Sequence, residues 1–135
     1  MIILDTSALL SLCRSDDPQH NAVADVIASD EIRIVSPFVV AELDYIILSR
    51  FGVRVELAVL SRLSSGQFEL PTMTAGDLIT CERLLRRFAE HPLGVTDASL
   101  VILADRYGTD RICTLDRRHF SILRTLDGQP FTLLP

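Results

Sequence analysis

Lysine is absent from this 135-residue chain, in which all 13 basic residues are arginines. That absence excludes the phosphate-binding loop G-x-x-x-x-G-K-[ST], the lysine of protein kinases and any Schiff-base lysine. It also counts against a phosphoryl-receiver domain, which pairs an acidic pocket with a lysine. No G-x-S-x-G nucleophile elbow occurs, and His20, His91 and His119 are not spaced as H-E-x-x-H. Cysteine is scarce too. Cys13, Cys81 and Cys113 are odd in number, far apart and without a C-x-x-C pair, which argues against a disulfide framework or a zinc site and for a reducing cytoplasm. No run approaches the ~18 apolar residues of a membrane span. The opening Met1-Ile2-Ile3-Leu4-Asp5 has no basic segment before its apolar residues, so no secretory leader is expected.

Six glycines and six prolines, with 48% apolar and 23% charged residues, describe an ordinary globular chain and not a fibrous or disordered one. A length of 135 residues predicts one domain, residues 1–135, burying roughly two-thirds of its unfolded surface. Acid is in excess, with 18 Asp and Glu against 13 Arg for a net charge of -5.

Residues 1–4 form a continuous apolar run suited to a buried strand, and Asp5-Thr6-Ser7 supplies cap-type residues for a helix through about Cys13. After the break at Asp16-Asp17-Pro18, the spacing of Ala22, Val23, Val26 and Ile27 is helical, and residues 32–35 are strand-like. Ser36-Pro37 signals a helix with an N-cap and a proline in its first turn, running to about Arg50 and ending near Gly52. Another helix is expected over about 53–64 and a weak strand over 67–70. Thr74-x-x-Asp77 has the form of a capping box ahead of an apolar stripe of Leu78, Cys81, Leu85 and Phe88. Thr96 or Asp97 is expected to cap a helix that Gly108 stops. Residues 111–115 read as a strand meeting a turn at Asp116, and a short helix and a strand over 131–134 follow. Alternating strands and helices predict an α/β fold of three layers, with a mainly parallel central sheet of about five short strands.

Ligands of open α/β sheets collect at the carboxyl ends of the strands, and Asp5 and Asp116 each follow a predicted strand. Asp97 begins a helix, with Leu100, Val101 and Ala104 stacked above it as a stripe facing the core. Glu42 lies within a helix on a stripe shared with Phe38 and Tyr45, and is expected to be buried. An unpaired buried carboxylate costs several kcal/mol or more, and a divalent cation removes that penalty. Carboxylate oxygens are the hard ligands that Mg²⁺ and Mn²⁺ prefer. Each acid also has a plainer reading: Asp5, Asp97 and Asp116 as helix caps or turn residues, and Glu42 as the partner of a buried arginine. Spacings of 37, 55 and 19 residues form no local motif, so whether the four meet depends on the fold.

The stretches that hold these acids are Ile2-Ile3-Leu4-Asp5-Thr6-Ser7-Ala8-Leu9, Ser36-Pro37 through Ala41-Glu42-Leu43-Asp44-Tyr45, Gly94-Val95-Thr96-Asp97-Ala98-Ser99-Leu100, and Cys113-Thr114-Leu115-Asp116-Arg117-Arg118-His119-Phe120. Together, in that order, they resemble the PIN-domain ribonucleases, and most closely the VapC toxins of bacterial toxin–antitoxin pairs. The resemblance implies an acidic quartet of Asp5, Glu42, Asp97 and Asp116 that binds Mg²⁺ (Mn²⁺ substituting). Asp5 and Asp97 would be direct ligands, and Ser7 and Thr114 would orient the carboxylates. It implies an endoribonuclease acting on single-stranded or loop RNA, of transfer or ribosomal type, and leaving a 5′-phosphate and a 3′-hydroxyl. The implied partners are a cognate VapB-like antitoxin, placing an arginine against the carboxylates, and a second copy of the chain. The apolar helices over 37–64 are the expected dimer surface, since a mean hydropathy of +0.32 suggests more apolar area than one small core uses.

RNA binding rests on phosphate neutralisation, which this acidic chain would supply through bound cations and through arginine. Between Arg106 and Arg124 there are five arginines (106, 111, 117, 118 and 124) against Asp110 and Asp116. Arg117 and Arg118, directly after Asp116, are the candidate contacts to RNA or antitoxin, with a solvated turn as their other reading. His119 and Asp44 are accessory candidates. Two other classes compete: a metal-dependent small-molecule phosphatase, and a non-catalytic interaction module whose acids are caps and ion pairs. The haloacid-dehalogenase-like phosphatases carry a second aspartate where this chain has Ser7 and also need a lysine, so the first alternative fits less well.

Overall fold

The computed structural model describes residues 1–135, in which four short strands and seven helices alternate. Strands β1 (Ile2–Leu4), β2 (Arg33–Val35), β3 (Arg111–Cys113) and β4 (Thr132–Leu134) form one parallel sheet in the order β2-β1-β3-β4. Ile3 lies opposite Ile34 on one side and Ile112 on the other, so β1 is an interior strand that registers β2 and β3, while β4 pairs with β3. Successive strand side chains point to opposite faces, and Ile2, Ile3 and Leu4 are all fully buried. Both faces of the sheet are therefore covered, which is the three-layer arrangement expected.

The fifth expected strand shrinks to a single bridge. Within 67–70 only Glu69 pairs, opposite Ile34, donating its N–H to Arg33 O and accepting from Val35 N–H. The helices are α1 (Thr6–Leu12), α2 (His20–Ala28), α3 (Pro37–Phe51), α4 (Val53–Leu63), α5 (Ala75–Arg87), α6 (Val95–Tyr107) and α7 (Arg117–Ile122). Ser36 caps α3 through its hydroxyl and Pro37 opens it. Thr74 and Asp77 form the reciprocal capping box of α5, whose buried residues are Cys81 and Leu84, while Leu78 is turned outward. Gly108, at φ +63°, ends α6 in the left-handed region that glycine adopts without steric cost.

One helix start differs from expectation. The N-cap of α6 is Gly94, neither Thr96 nor Asp97, and Asp97 sits in the first turn with its carboxylate reaching back to the Gly94 N–H. The acid still serves the helix end, from inside the helix and not from the cap. Helix α6 is the buried spine of the molecule: every residue from Ala98 to Ala104 is inaccessible, and the helix packs on α3, α5 and β1. Leu100, Val101 and Ala104 face the core as the spacing predicted. No helix is long and apolar enough to cross a membrane.

Candidate active site

Asp5 follows β1 at the carboxyl edge of the sheet and is 6% exposed. It occupies the N-cap position of α1, yet its carboxylate caps nothing. Instead Oδ2 accepts the Ser7 hydroxyl at 2.7 Å and the Thr114 hydroxyl at 2.8 Å. Each hydroxyl has one hydrogen, so the 3.2 Å approach of Ser7 to Thr114 records two donors converging on one oxygen. Their lone pairs are used as well, Ser7 accepting from Leu115 N–H and Thr114 from Asp116 N–H. This network fixes one carboxylate oxygen and leaves Oδ1 without a protein partner where Asp5 lines a cleft.

That cleft, of about 390 Å³, is lined by Asp5, Glu42, Asp97, Asp116 and His119. The four predicted acids arrive from four separate places: the end of β1, the middle of α3, the first turn of α6 and the start of α7. Burial pushes the Asp97 carboxyl above the usual carboxylate range, the Gly94 amide and His119 pull it down, and the neighbouring Asp5 and Glu42 push it up again. Asp116 caps α7 by accepting the Arg118 N–H on Oδ1, so for this residue the cap and the cleft wall coexist.

Glu42 reaches the cleft by a different route from the one expected. The buried stripe of α3 is Val39, Leu43 and Ile47, and Glu42 lies beside it as an exposed residue. Tyr45 on the expected stripe is 73% exposed. Burial therefore does not force a cation on Glu42, and no arginine pairs with it. Its relevance comes from facing three other carboxylates across open space.

All four acids offer only hard oxygen donors, and like charges crowd Asp97; both features suit a divalent cation. No three His, Cys, Asp or Glu side chains converge closely enough to chelate an ion unaided, so a divalent cation here would be held by one or two carboxylates with waters completing its octahedron.

Residues 2–125 match the family described as "PIN domain". The chain belongs to the PIN-domain family. It is 46% identical over 135 residues to Ribonuclease VapC26 of Mycobacterium tuberculosis strain H37Rv, covering 99% of this chain and 100% of that protein, which places it among the VapC proteins. Two solved structures share the fold. VapC20 of Mycobacterium tuberculosis, described as a sarcin-ricin loop cleaving toxin, matches with a TM-score of 0.80 at 21% identity over 88% of this chain and 92% of that one. FitAcB from Neisseria gonorrhoeae matches with 0.64 at 20% identity over 98% and 97%.

In this PIN domain the basic stretch is mostly committed elsewhere. Arg106 pairs with Asp77 and Arg111 with Asp30, both at 2.8 Å, and Arg124 caps carbonyls at the end of α7. Arg117 donates to the Pro135 backbone oxygen. Arg118, whose side chain is 90% exposed, lies 3.8 Å from Asp116 and is the arginine beside the cleft that remains available. Asp44 does not line the cleft; its carboxyl lies against Glu56 and raises that residue's pKa, after burial. His119 also lines the cleft; its i,i+3 spacing from Asp116 is local, whereas its approach to Asp97 is tertiary. Cys81 and Cys113 are buried and Cys13 half-buried, all unpaired, and burial pushes the Cys113 thiol up to about 12, so these are core hydrophobes.

Proposed function

We propose that this protein is a metal-dependent endoribonuclease, the toxin of a VapC-type toxin–antitoxin pair. The observation that carries this reading is the convergence of Asp5, Glu42, Asp97 and Asp116 on one cleft at the carboxyl edge of a parallel sheet. The 46% identity to a ribonuclease over the full length supports it. Asp5 and Asp97 are the direct ligands for Mg²⁺ or Mn²⁺, with Glu42 and Asp116 acting through water or at a second ion. When bound, the ion supplies Lewis-acid activation of water and charge neutralisation at the scissile phosphate.

The chain's own residues do the rest. Ser7 and Thr114 hold Asp5 by one oxygen so that the other is free to bind. The cleft contains no lysine, and its one histidine, His119, faces Asp97 and Asp116 with Nδ1. Arg118 stands at the rim with a fork suited to phosphate. The substrate is a single-stranded or loop region of transfer or ribosomal RNA, cut to a 5′-phosphate and a 3′-hydroxyl.

The partners proposed are a VapB-like antitoxin, which blocks the acidic groove with an arginine, and a second copy of the chain meeting at α3 and α4. Those helices leave Tyr45, Leu48, Phe51, Val53 and Leu57 exposed, apolar area of the kind that a partner copy would cover. The setting is the cytoplasm, in keeping with unpaired cysteines.

The test is cleavage of total cellular RNA by the purified protein with Mg²⁺ or Mn²⁺, with EDTA, and with Asp5→Asn and Asp97→Asn. Discrete fragments that require both the metal and the two carboxylates are expected. Cleavage that survives both substitutions refutes the site, and no cleavage by folded, metal-loaded protein favours an interaction module. Sedimentation as a monomer at micromolar concentration would count against the α3–α4 dimer surface.

A further inference from the structure

Most of the 13 arginines are already engaged. Five lie beside an acid, and Arg33, Arg117 and Arg124 donate to backbone oxygens. Of the rest, Arg54 and Arg62 lie on α4, which lends the acidic cleft no residue, and Arg50 stands at the far end of α3. Arg83 and Arg87 remain, exposed on α5 and without an ion pair.

An i,i+4 spacing makes these two side chains neighbours on one helix face, about 5–6 Å apart at Cβ. Beside them the charge of Arg86 is answered by Glu82. The helix dipole favours cations in the last turn, which accounts for Arg86 and Arg87 but not for Arg83, a turn earlier. Two like charges at this spacing weaken a helix, and an anion laid across the pair relieves the repulsion. The same face leads to the site. After Arg87 the chain turns, the His91 N–H donating back to the Phe88 carbonyl at 2.9 Å, and arrives at Pro92 and Gly94, which line the cleft. The five positions from Arg87 to Pro92 span at most about 18 Å. The cleft's own acids repel a polyanion, so part of its backbone charge has to be met outside them, and an arginine fork takes phosphate bidentately. We infer that Arg83 and Arg87 form a track on α5 that binds the phosphate backbone of RNA as it enters the cleft.

This inference rests on the ribonuclease reading above and concerns where the substrate lies, not the metal. A fluorescein-labelled oligouridine of about 12 nucleotides is bound to the full-length Asp5→Asn protein and followed by anisotropy over a salt series. The comparison adds Arg83→Gln, Arg87→Gln, the two together, both positions changed to lysine, and Arg54→Gln. Each single glutamine on α5 should lower the magnitude of the slope of log affinity against log salt by about 0.7 and weaken binding about fivefold near ~0.1 M salt. The pair should lower it by about 1.4 and weaken binding about 25-fold. Lysine keeps the charge and should keep the slope, and Arg54→Gln should leave it unchanged. Glutamine is a good helix former, and unaltered unfolding midpoints show that the fold is kept.

An unchanged slope and affinity in the double glutamine variant overturns the inference. An equal loss from Arg54→Gln does so too, since it marks a general effect of net charge. Failure of the Asp5→Asn protein to bind the oligouridine at low salt also overturns it, because a phosphate track accepts any sequence. If the wild type then leaves total cellular RNA uncut with Mn²⁺, the ribonuclease reading falls as well.

Discussion

The Thr114 hydroxyl donates to Asp5 Oδ2 over 2.8 Å and at the same time accepts the Asp116 N–H at 3.0 Å, so one buried side chain sets the position of two of the four acids. Thr114→Val keeps the volume and removes both bonds, leaving the Asp116 amide without its acceptor. A loss of about 1–3 kcal/mol in unfolding free energy is expected, together with weaker Mn²⁺ binding. Thr114→Ser, which keeps the hydroxyl, should restore most of the metal binding. Denaturant titration with and without Mn²⁺ measures both effects.

How far the sequence could be read follows from which interactions are local. The apolar run of β1, the Ser36-Pro37 start of α3 and the Thr74–Asp77 box are decided within a few residues, and all three are present in the structure. Glu42 is exposed where burial is expected because α3 has two adjacent apolar-rich stripes. Periodicity does not say whether Phe38 and Tyr45 or Val39 and Leu43 turn inward; packing against α1 and α6 selects the second set. The cap of α6 differs from expectation because Asp97 is chemically the better N-cap, while Gly94 takes that position through backbone shape alone. The closeness of His119 to Asp97 is not legible in the sequence, because it depends on how α7 returns to α6, which no spacing encodes.

A buried pair of serines aligns the two helices that carry Glu42 and Asp97. Ser36, the cap of α3, and Ser99 in α6 are fully buried with their hydroxyls 2.7 Å apart. Ser99 also donates to the Thr96 carbonyl at 2.6 Å, so Ser99→Ala removes two bonds and is expected to cost about 1–2 kcal/mol. Ser36→Ala removes the bond to Ser99 and the cap to the Phe38 N–H and should cost a similar amount, about 1–2 kcal/mol. Thermal or chemical unfolding measures both losses, and wild-type stability in either variant would show that the bonds it removes contribute nothing.

Asp97 is held against its own preference. Burial and the neighbouring Asp5 and Glu42 raise its carboxyl pKa, so the fold penalises the charged form at every pH above the raised value. Asp97→Asn removes the charge while its side-chain oxygen still accepts from Gly94. The metal-free protein should therefore become more stable at pH 7 by about 0.5–2 kcal/mol, as neutralised functional sites commonly do. Stabilisation by Mn²⁺ should fall at the same time, because a native state that binds less tightly gains less from the ligand. Opposite shifts of the metal-free and metal-loaded midpoints are the signature to look for.

The acid limb of stability has a named contributor in Asp77. The Thr74 backbone N–H and then the Arg106 guanidinium hold its carboxyl below the ordinary value of 3.8. The unfolded chain then binds more protons than the native one, so stability rises with pH across that interval. The contribution is complete above the ordinary value and is lost as the pH falls through the depressed one. Asp77→Asn should lower stability at neutral pH and flatten its pH dependence below pH 4, measured by urea unfolding across an acid series.

Arg117 and Arg118 are neighbours in sequence but differ in what they are free to do. Arg117 is tied to the Pro135 backbone oxygen, whereas Arg118 extends beside Asp116 with its side chain 90% exposed. If Arg118 meets an RNA phosphate, its loss removes one neutralised charge, and the slope of log affinity against log salt should fall in magnitude by about 0.7 for a single strand. The measurement uses an Asp5→Asn background, in which RNA is bound without being cut, and compares Arg118→Ala with Arg117→Ala by anisotropy over a salt series. Arg118→Ala is expected to change the slope. Arg117→Ala should act through stability, through the lost tie to the chain end, and leave the slope unchanged. The reverse pattern would place the phosphate track on the β4 side of α7 and release Arg118 from any role in substrate binding.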